Sequence, residues 1–264
     1  MAGPEPLPGS LLPHYRIVVY YGNPLSKRMG ILGQIPPDSM LARLDGEVRA
    51  YNAADSTTPS VPALDLIVTV AQASAGTDGK YRLRMPDTLI DRVASWAERA
   101  HALLILDVQP GRSSVAEEIT PLIKYLERPT VHLALDPEFA MSATRVPGRV
   151  IGTVDASTIN AAAATLAALV EANHLPPKLL IVHRFTRPMV THASRITLDP
   201  RVQVVMNMDG FGPDWMKRES YRAYVASEPV QYTGIKLFYK NDKPFMTPQE
   251  TLGLFPVPLL VMFQ

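Results

Sequence analysis

The chain contains no cysteine, which excludes disulfides, thiolate metal sites and a cysteine nucleophile. Histidine is scarce: six are present and only His183 falls at the end of an apolar run, so the multi-histidine metal constellations are missing. Aromatic residues make up 7%, few for a surface built to stack on sugar rings. Neither sign of charge is in excess. The net charge is +1 with lysine and arginine scattered, which argues against a nucleic-acid partner. The longest apolar stretches, such as Leu64–Ala71, fall far short of the roughly 20 residues of a membrane span. A glycine-rich phosphate loop is also missing, because the first apolar run leads into Tyr21-Gly22-Asn23-Pro24 with no G-x-G-x-x-G.

A cysteine-free chain suits export as well as a thermophilic cytosol. An extracellular bacterial protein is the expectation, with any signal peptide absent from this chain. Met1–Pro13 has neither a charged n-region nor an apolar h-region and reads as a loose leader carrying Pro4, Pro6, Pro8 and Pro13. Residues 1–14 are therefore set apart from one domain over residues 15–264. That length lies in the range of an α/β barrel folded as one unit.

What is present is an alternation. Apolar runs at Arg16–Tyr21, Ala63–Ala71, Ala102–Val108, Val131–Leu135, Leu179–His183, Val202–Met208, Thr233–Tyr239 and Leu259–Gln264 read as strands. Several are continuous rather than alternating, as parallel strands covered on both faces are. Between them lie helix signals. Ser114-Val-Ala-Glu117 and Thr247-Pro-Gln-Glu250 are capping boxes, the first opening a helix to about Arg128. Asp155–His174 is alanine-rich, and Leu89–Arg99 and Trp215–Val225 carry apolar residues at helical spacing. The pattern predicts an α/β fold, a (β/α)₈ TIM-type barrel, in preference to an open doubly wound sheet. The run ending at Gln264 leaves the eighth helix missing or replaced. Leu11, Leu12 and Tyr15 of the leader, or a second subunit in a homo-oligomer, are the candidates to cover that groove.

Barrel active sites lie at the C-terminal ends of the strands. Here those ends carry Tyr21, Gln72, Asp107 with Gln109, Asp136 with Glu138, His183, Asn207 with Asp209, Tyr239 and Gln264, while Lys236 lies within strand seven. Residues two apart on a strand share a face, so each of the three pairs points one way. The plain alternative is that Asp and Asn there serve as turn residues and helix caps. Carboxylates with amides and a tyrosine suit glycosidic-bond chemistry, which needs one protonated carboxyl and one negative group. Glu138, nearer the mouth, is the candidate acid/base; Asp136, one pleat deeper, tunes it; Asp209 is the candidate stabiliser or nucleophile. The remaining residues would hold sugar hydroxyls. No cofactor is called for, and an oxygen-ligated Mg²⁺ or Ca²⁺ on Asp107, Asp136 and Asp209 is the open metal alternative. Tyr81-Arg82-Leu83-Arg84 reads as a solvated loop within reach of an acidic substrate.

These residues resemble the chitinase-like glycoside hydrolases of family 18, which are (β/α)₈ barrels. Asp136-Pro137-Glu138 matches the end of that family's D-x-x-D-x-D-x-E, whose earlier aspartate positions hold Val131 and Ala134 here. Met206-Asn207-Met208-Asp209 is similar to its M-x-Y-D, with Met208 in the tyrosine position. Val18-Val19-Tyr20-Tyr21 is similar to its first strand, and Phe263-Gln264 stands where it has tryptophan. The resemblance implies Glu138 as general acid, and the replaced tyrosine and tryptophan imply a sugar other than chitin. Two further function classes remain open: a carbohydrate-binding barrel without catalysis, and a lyase or aldolase using Lys236 as a Schiff base. Against the latter stands a lysine simply paired with Asp209 or Glu138.

Overall fold

The computed structural model describes residues 3–264. Eight runs of Val, Ile and Leu form strands buried on both faces: β1 (Arg16–Gly22), β2 (Ser60–Ala71), β3 (Leu103–Val108), β4 (Val131–Leu135), β5 (Lys178–Arg184), β6 (Val202–Met208), β7 (Tyr232–Leu237) and β8 (Leu260–Phe263). Each pairs in parallel with the next in chain order, and β8 returns to pair with β1. The sheet is closed. The TIM-type barrel expected from the alternation is the fold.

Period-two alternation sorts the strand residues into two layers. Ile17, Val19, Ile67, Ile105, Ala134, Ile181, Val205 and Met262 fill the barrel. Val18, Tyr20, Leu64, Leu66, Leu104, Leu106, Val204 and Val261 face outward under the helices. A register shift between Ile67 and Thr69 bends β2 where it meets β3.

The outer layer is uneven. It comprises α1 (Pro37–Ala54), α2 (Asp87–Arg99), α3 (Val115–Ile119), α4 (Ile123–Leu126), α5 (Ala156–Ala172), α6 (Asp214–Tyr221) and the five-residue α7 (Pro248–Leu252). The helix expected from Ser114 to Arg128 is interrupted by a 3-10 turn at Thr120–Leu122, where Pro121 has no N–H to give the α pattern. Of the two capping boxes, Thr247 and Glu250 form the reciprocal pair; at Ser114 only the hydroxyl-to-Glu117 half is made. Between β5 and β6 no helix forms. That connection runs through two 3-10 turns and the short strand Val190–Thr191, which pairs with Val154–Asp155.

The leader is not loose, and it does not cover an eighth-helix groove. Leu12 is fully buried and packs inside the barrel with Ile17, Leu179 and Leu260. Gln203 on β6 holds it, accepting from the N–H of Leu11 and Leu12 and donating to Leu12 O at 2.6 Å. The leader thus plugs the N-terminal end of the barrel, while on the outside α7 packs directly on α1. Arg82–Arg84 is likewise no solvated loop. It is a short strand antiparallel to β2, and Glu118, fully buried, binds both arginines at 2.7–2.8 Å. No helix among the described residues is long and apolar enough to cross a membrane.

Candidate active site

A cavity of about 910 Å³ opens at the C-terminal ends of the strands. Its wall takes Tyr21 from β1, Gln72 after β2, Gln109 after β3, Asp136 and Glu138 after β4, Asp209 after β6, Lys236 from β7 and Gln264 after β8. Eight of the twelve residues singled out by strand position therefore share one cavity. Asp136 also serves as a cap, its Oδ1 accepting from Glu138 N at 3.1 Å. The cap fixes the turn that carries Glu138 forward to the mouth.

Four of the twelve are placed elsewhere. Asp107, His183 and Asn207 point inward but are fully buried beneath the floor and do not line the cavity. Tyr239 points away from the barrel interior. Its hydroxyl donates to Glu47 on α1 at 2.7 Å and meets the Tyr20 hydroxyl at 3.1 Å, under the Arg43 guanidinium.

The electrostatics centre on Asp209. Its Oδ1 lies 3.1 Å from Lys236 Nζ and its Oδ2 3.1 Å from His183 Nδ1. Burial raises the pKa of Asp209, but the charges of Lys236 and His183 outweigh it and hold the carboxyl below its ordinary range. Lys236 Nζ also sits 3.4 Å from the centroid of the Tyr21 ring, a cation–π contact that fixes the ammonium. The lysine is thus paired with Asp209, the arrangement that competes with a Schiff-base role.

Glu138 goes the opposite way. Burial raises its pKa first, and the negative charge of Asp209 adds to the effect. Burial raises Asp136 well above its usual range, with Asp107 and Asp209 adding to that effect and His183 opposing it. For His183, burial works to lower the pKa, yet the carboxylates of Asp209 and Asp107 raise it to about 9. Gln109 steadies the floor, with Nε2 3.3 Å from the Tyr21 hydroxyl and 3.5 Å from Asp136 Oδ2.

Two features escaped the strand-end reading. One is an apolar wall of Phe139, Phe185, Phe211, Tyr224 and Phe238, drawn from loops and helices rather than strands. Phe211 is 62% exposed and meets Phe238 edge to face at 5.9 Å. Aromatics are few, but the cavity gathers a disproportionate share of them. The other is Asp65, fully buried in the middle of β2. Its signal was visible: a lone acid inside the apolar run Leu64-Asp65-Leu66-Ile67 must be paired or functional.

No protein-family model matches the chain, and no curated protein matches it. Among solved structures it is similar to a ruminal GH26 endo-β-1,4-mannanase, at 8% identity and a TM-score of 0.37, over 94% of this chain. The chain spans 58% of that protein's length. A likeness this distant says nothing of chemistry, and the barrel rests on the strand pairings instead. The chitinase-like resemblance gains no support. Met208, in the tyrosine position, packs in the outer layer away from the cavity, and Ala134 offers no carboxylate.

Proposed function

We propose that the cavity binds a carbohydrate and cleaves a glycosidic bond, with Glu138 as general acid/base and Asp209 as nucleophile or charge stabiliser. One observation carries this reading. Two carboxyls lining the same cavity have their pKa values displaced in opposite directions, Glu138 upward and Asp209 downward. That division favours the proton on Glu138 and the negative charge on Asp209, the pairing of donor and anion that glycoside hydrolysis requires. Lys236 is the positioning residue for the anion, and Asp136 fixes the Glu138 turn through its backbone N–H. The amides of Gln72, Gln109 and Gln264 supply donors and acceptors for hydroxyls, and the exposed ring of Phe211 offers an apolar face for a sugar.

The test is hydrolysis of a panel of oligosaccharides and aryl glycosides by the wild type and by Glu138→Gln. The variant keeps the shape of the side chain and loses the transferable proton. The expected result is a drop in kcat of about 10²–10⁴-fold with the melting curve unchanged. Unchanged turnover would remove Glu138 from the chemistry. Glycan binding by a wild type that releases no product would instead favour a carbohydrate-binding barrel without catalysis.

A further inference from the structure

Below the cavity floor the barrel interior holds more acid than its own cations neutralise. Asp65 on β2 and Asp107 on β3 are fully buried, and no oxygen of either carboxylate meets a donor in good hydrogen-bond geometry among the described residues, although the Tyr21 hydroxyl stands beside Asp107. Facing them from β5 is His183, also fully buried. Its Nε2 has no hydrogen-bond partner among the described residues and stands 3.6 Å from Asp107 Oδ2. The ammonium of Lys236 is already engaged by Asp209. Unpaired buried carboxylates are strongly unfavourable, and two sharing one site are more so. Such a cluster persists when something positive occupies it.

We propose that Asp65, Asp107 and His183 bind one divalent transition-metal ion, of the Zn²⁺ or Mn²⁺ class, which ties β2, β3 and β5 together beneath the cavity. One ligand atom from each residue lies within 4.8 Å of the other two. Three ligands at about 2.0–2.2 Å from a shared ion stand no more than about 3.8 Å apart when evenly spread, so side-chain rotations that draw the atoms together by about an ångström close the site. One imidazole with two carboxylates suits zinc or manganese better than the all-oxygen shells of magnesium and calcium.

The far side of the imidazole fits the same assignment. His183 Nδ1 lies 3.1 Å from Asp209 Oδ2, so an N–H there donates to a carboxylate and leaves the Nε2 lone pair facing Asp65 and Asp107. A carboxylate behind a ligating histidine fixes tautomer and ring orientation in this way. Asn207, whose amide lies 3.3 Å from Nδ1, accepts from the same N–H when its oxygen is turned to the ring. Charge balances as well. A divalent ion neutralises Asp65 and Asp107, His183 becomes a neutral ligand with the ion's charge standing behind Asp209 in place of the imidazolium, and Asp209 stays paired with Lys236. All three ligands are sealed from the cavity, so the ion is structural and the inference does not depend on the proposed hydrolysis.

The experiment uses the full chain, unfolded with chelator, desalted, and refolded without metal or with Zn²⁺ or Mn²⁺ alone. The expected result is about one ion retained per chain after desalting and a Tm several degrees above the metal-free protein. Asp65→Asn should still fold, because it removes a buried charge, yet lose both the retained ion and the Tm shift. Asp136→Asn, outside the cluster, should keep both. If Asp65→Asn does not refold, Asp107→Asn is read in the same two assays. Failure of the wild type to retain either ion, or an unchanged Tm shift in the Asp65 or Asp107 variant, overturns the site. The positive charge would then be protons on the carboxyls and on Nε2.

Discussion

The ammonium of Lys236 touches the Tyr21 ring on one side and Asp209 on the other, and it sits at the boundary between the cavity and the acids beneath it. Its charge is the largest influence keeping Asp209 ionised against burial. Replacing it by methionine keeps most of the volume and removes that influence. Activity that needs Asp209 as an anion is lost as pH falls through the Asp209 pKa, so Lys236→Met should move the acid limb of the kcat/KM profile to higher pH. The alkaline limb belongs to Glu138, whose proton is lost above its ordinary value of 4.5; the Lys236 charge also lowers that pKa, so this limb should move to higher pH as well. An acid limb that does not move would separate Lys236 from the titration of Asp209. At this scale the sequence revealed which face a residue takes but not how deep it lies. Counting by two from Lys236 reaches Phe238 and excludes Tyr239, an inference open to the sequence. Nothing in the strand itself announces that Asp107, His183 and Asn207 lie below a floor, since depth is set by loops from other strands.

Among the elements, helix α6 and the loop after β7 are joined by a buried ion pair. Lys217 Nζ lies 3.0 Å from Asp242 Oδ2 and donates to the carbonyls of Gly210 and Lys236, while Asp242 accepts from the N–H of Gly212 and Phe238. The loops that carry Asp209, Phe211 and Phe238 are thereby held in register. Asp242→Ala leaves a buried ammonium unpaired and two backbone N–H groups without acceptors, at an expected cost of about 3–5 kcal/mol in denaturant unfolding. A loss below about 1 kcal/mol would show that the pair contributes little. At the other end of the barrel, Gln203→Ala removes the three bonds to the leader. Stability should fall by about 2–3 kcal/mol, and limited proteolysis should release the segment before Tyr15. Equal protection in both proteins would mean that Leu12 alone holds the plug.

Legibility differed between kinds of element. Strand cores were readable because a strand covered on both faces has nowhere to put polar residues. The start of β2 was hidden by Pro62, which normally argues against a strand interior. Helix α1 went unread because only Met40, Leu44 and Tyr51 are buried along its length and the Pro36-Pro37 pair at its start reads as a break. The missing helix after β5 left no mark that separates it from any polar connection.

For the whole molecule, the barrel converts separate strand ends into one electrostatic system above and a sealed interior below. His132 reports on that interior. It is fully buried, its Nδ1 accepts from Leu179 N, and burial, aided by the charge of Lys178, lowers its pKa to about 3. The unfolded chain takes up this proton near 6.5, so the neutral imidazole contributes stability that is complete above that pH and is lost as pH falls towards 3. His132→Asn keeps an acceptor without the titration, and the pH dependence of its unfolding free energy should be shallower by about one proton between pH 6 and 4. Parallel curves for the two proteins would show that His132 is protonated in the folded state.

Two carboxyls lining one cavity have their pKa values displaced in opposite directions. Carboxyl ¹³C resonances of Glu138 and Asp209, assigned through Glu138→Gln and Asp209→Asn and followed from pH 2 to 9, measure both directly. Glu138 should titrate above 4.5 and Asp209 below 3.8. Coincident midpoints, or the reverse order, would contradict the division of acid and anion on which the proposed chemistry stands.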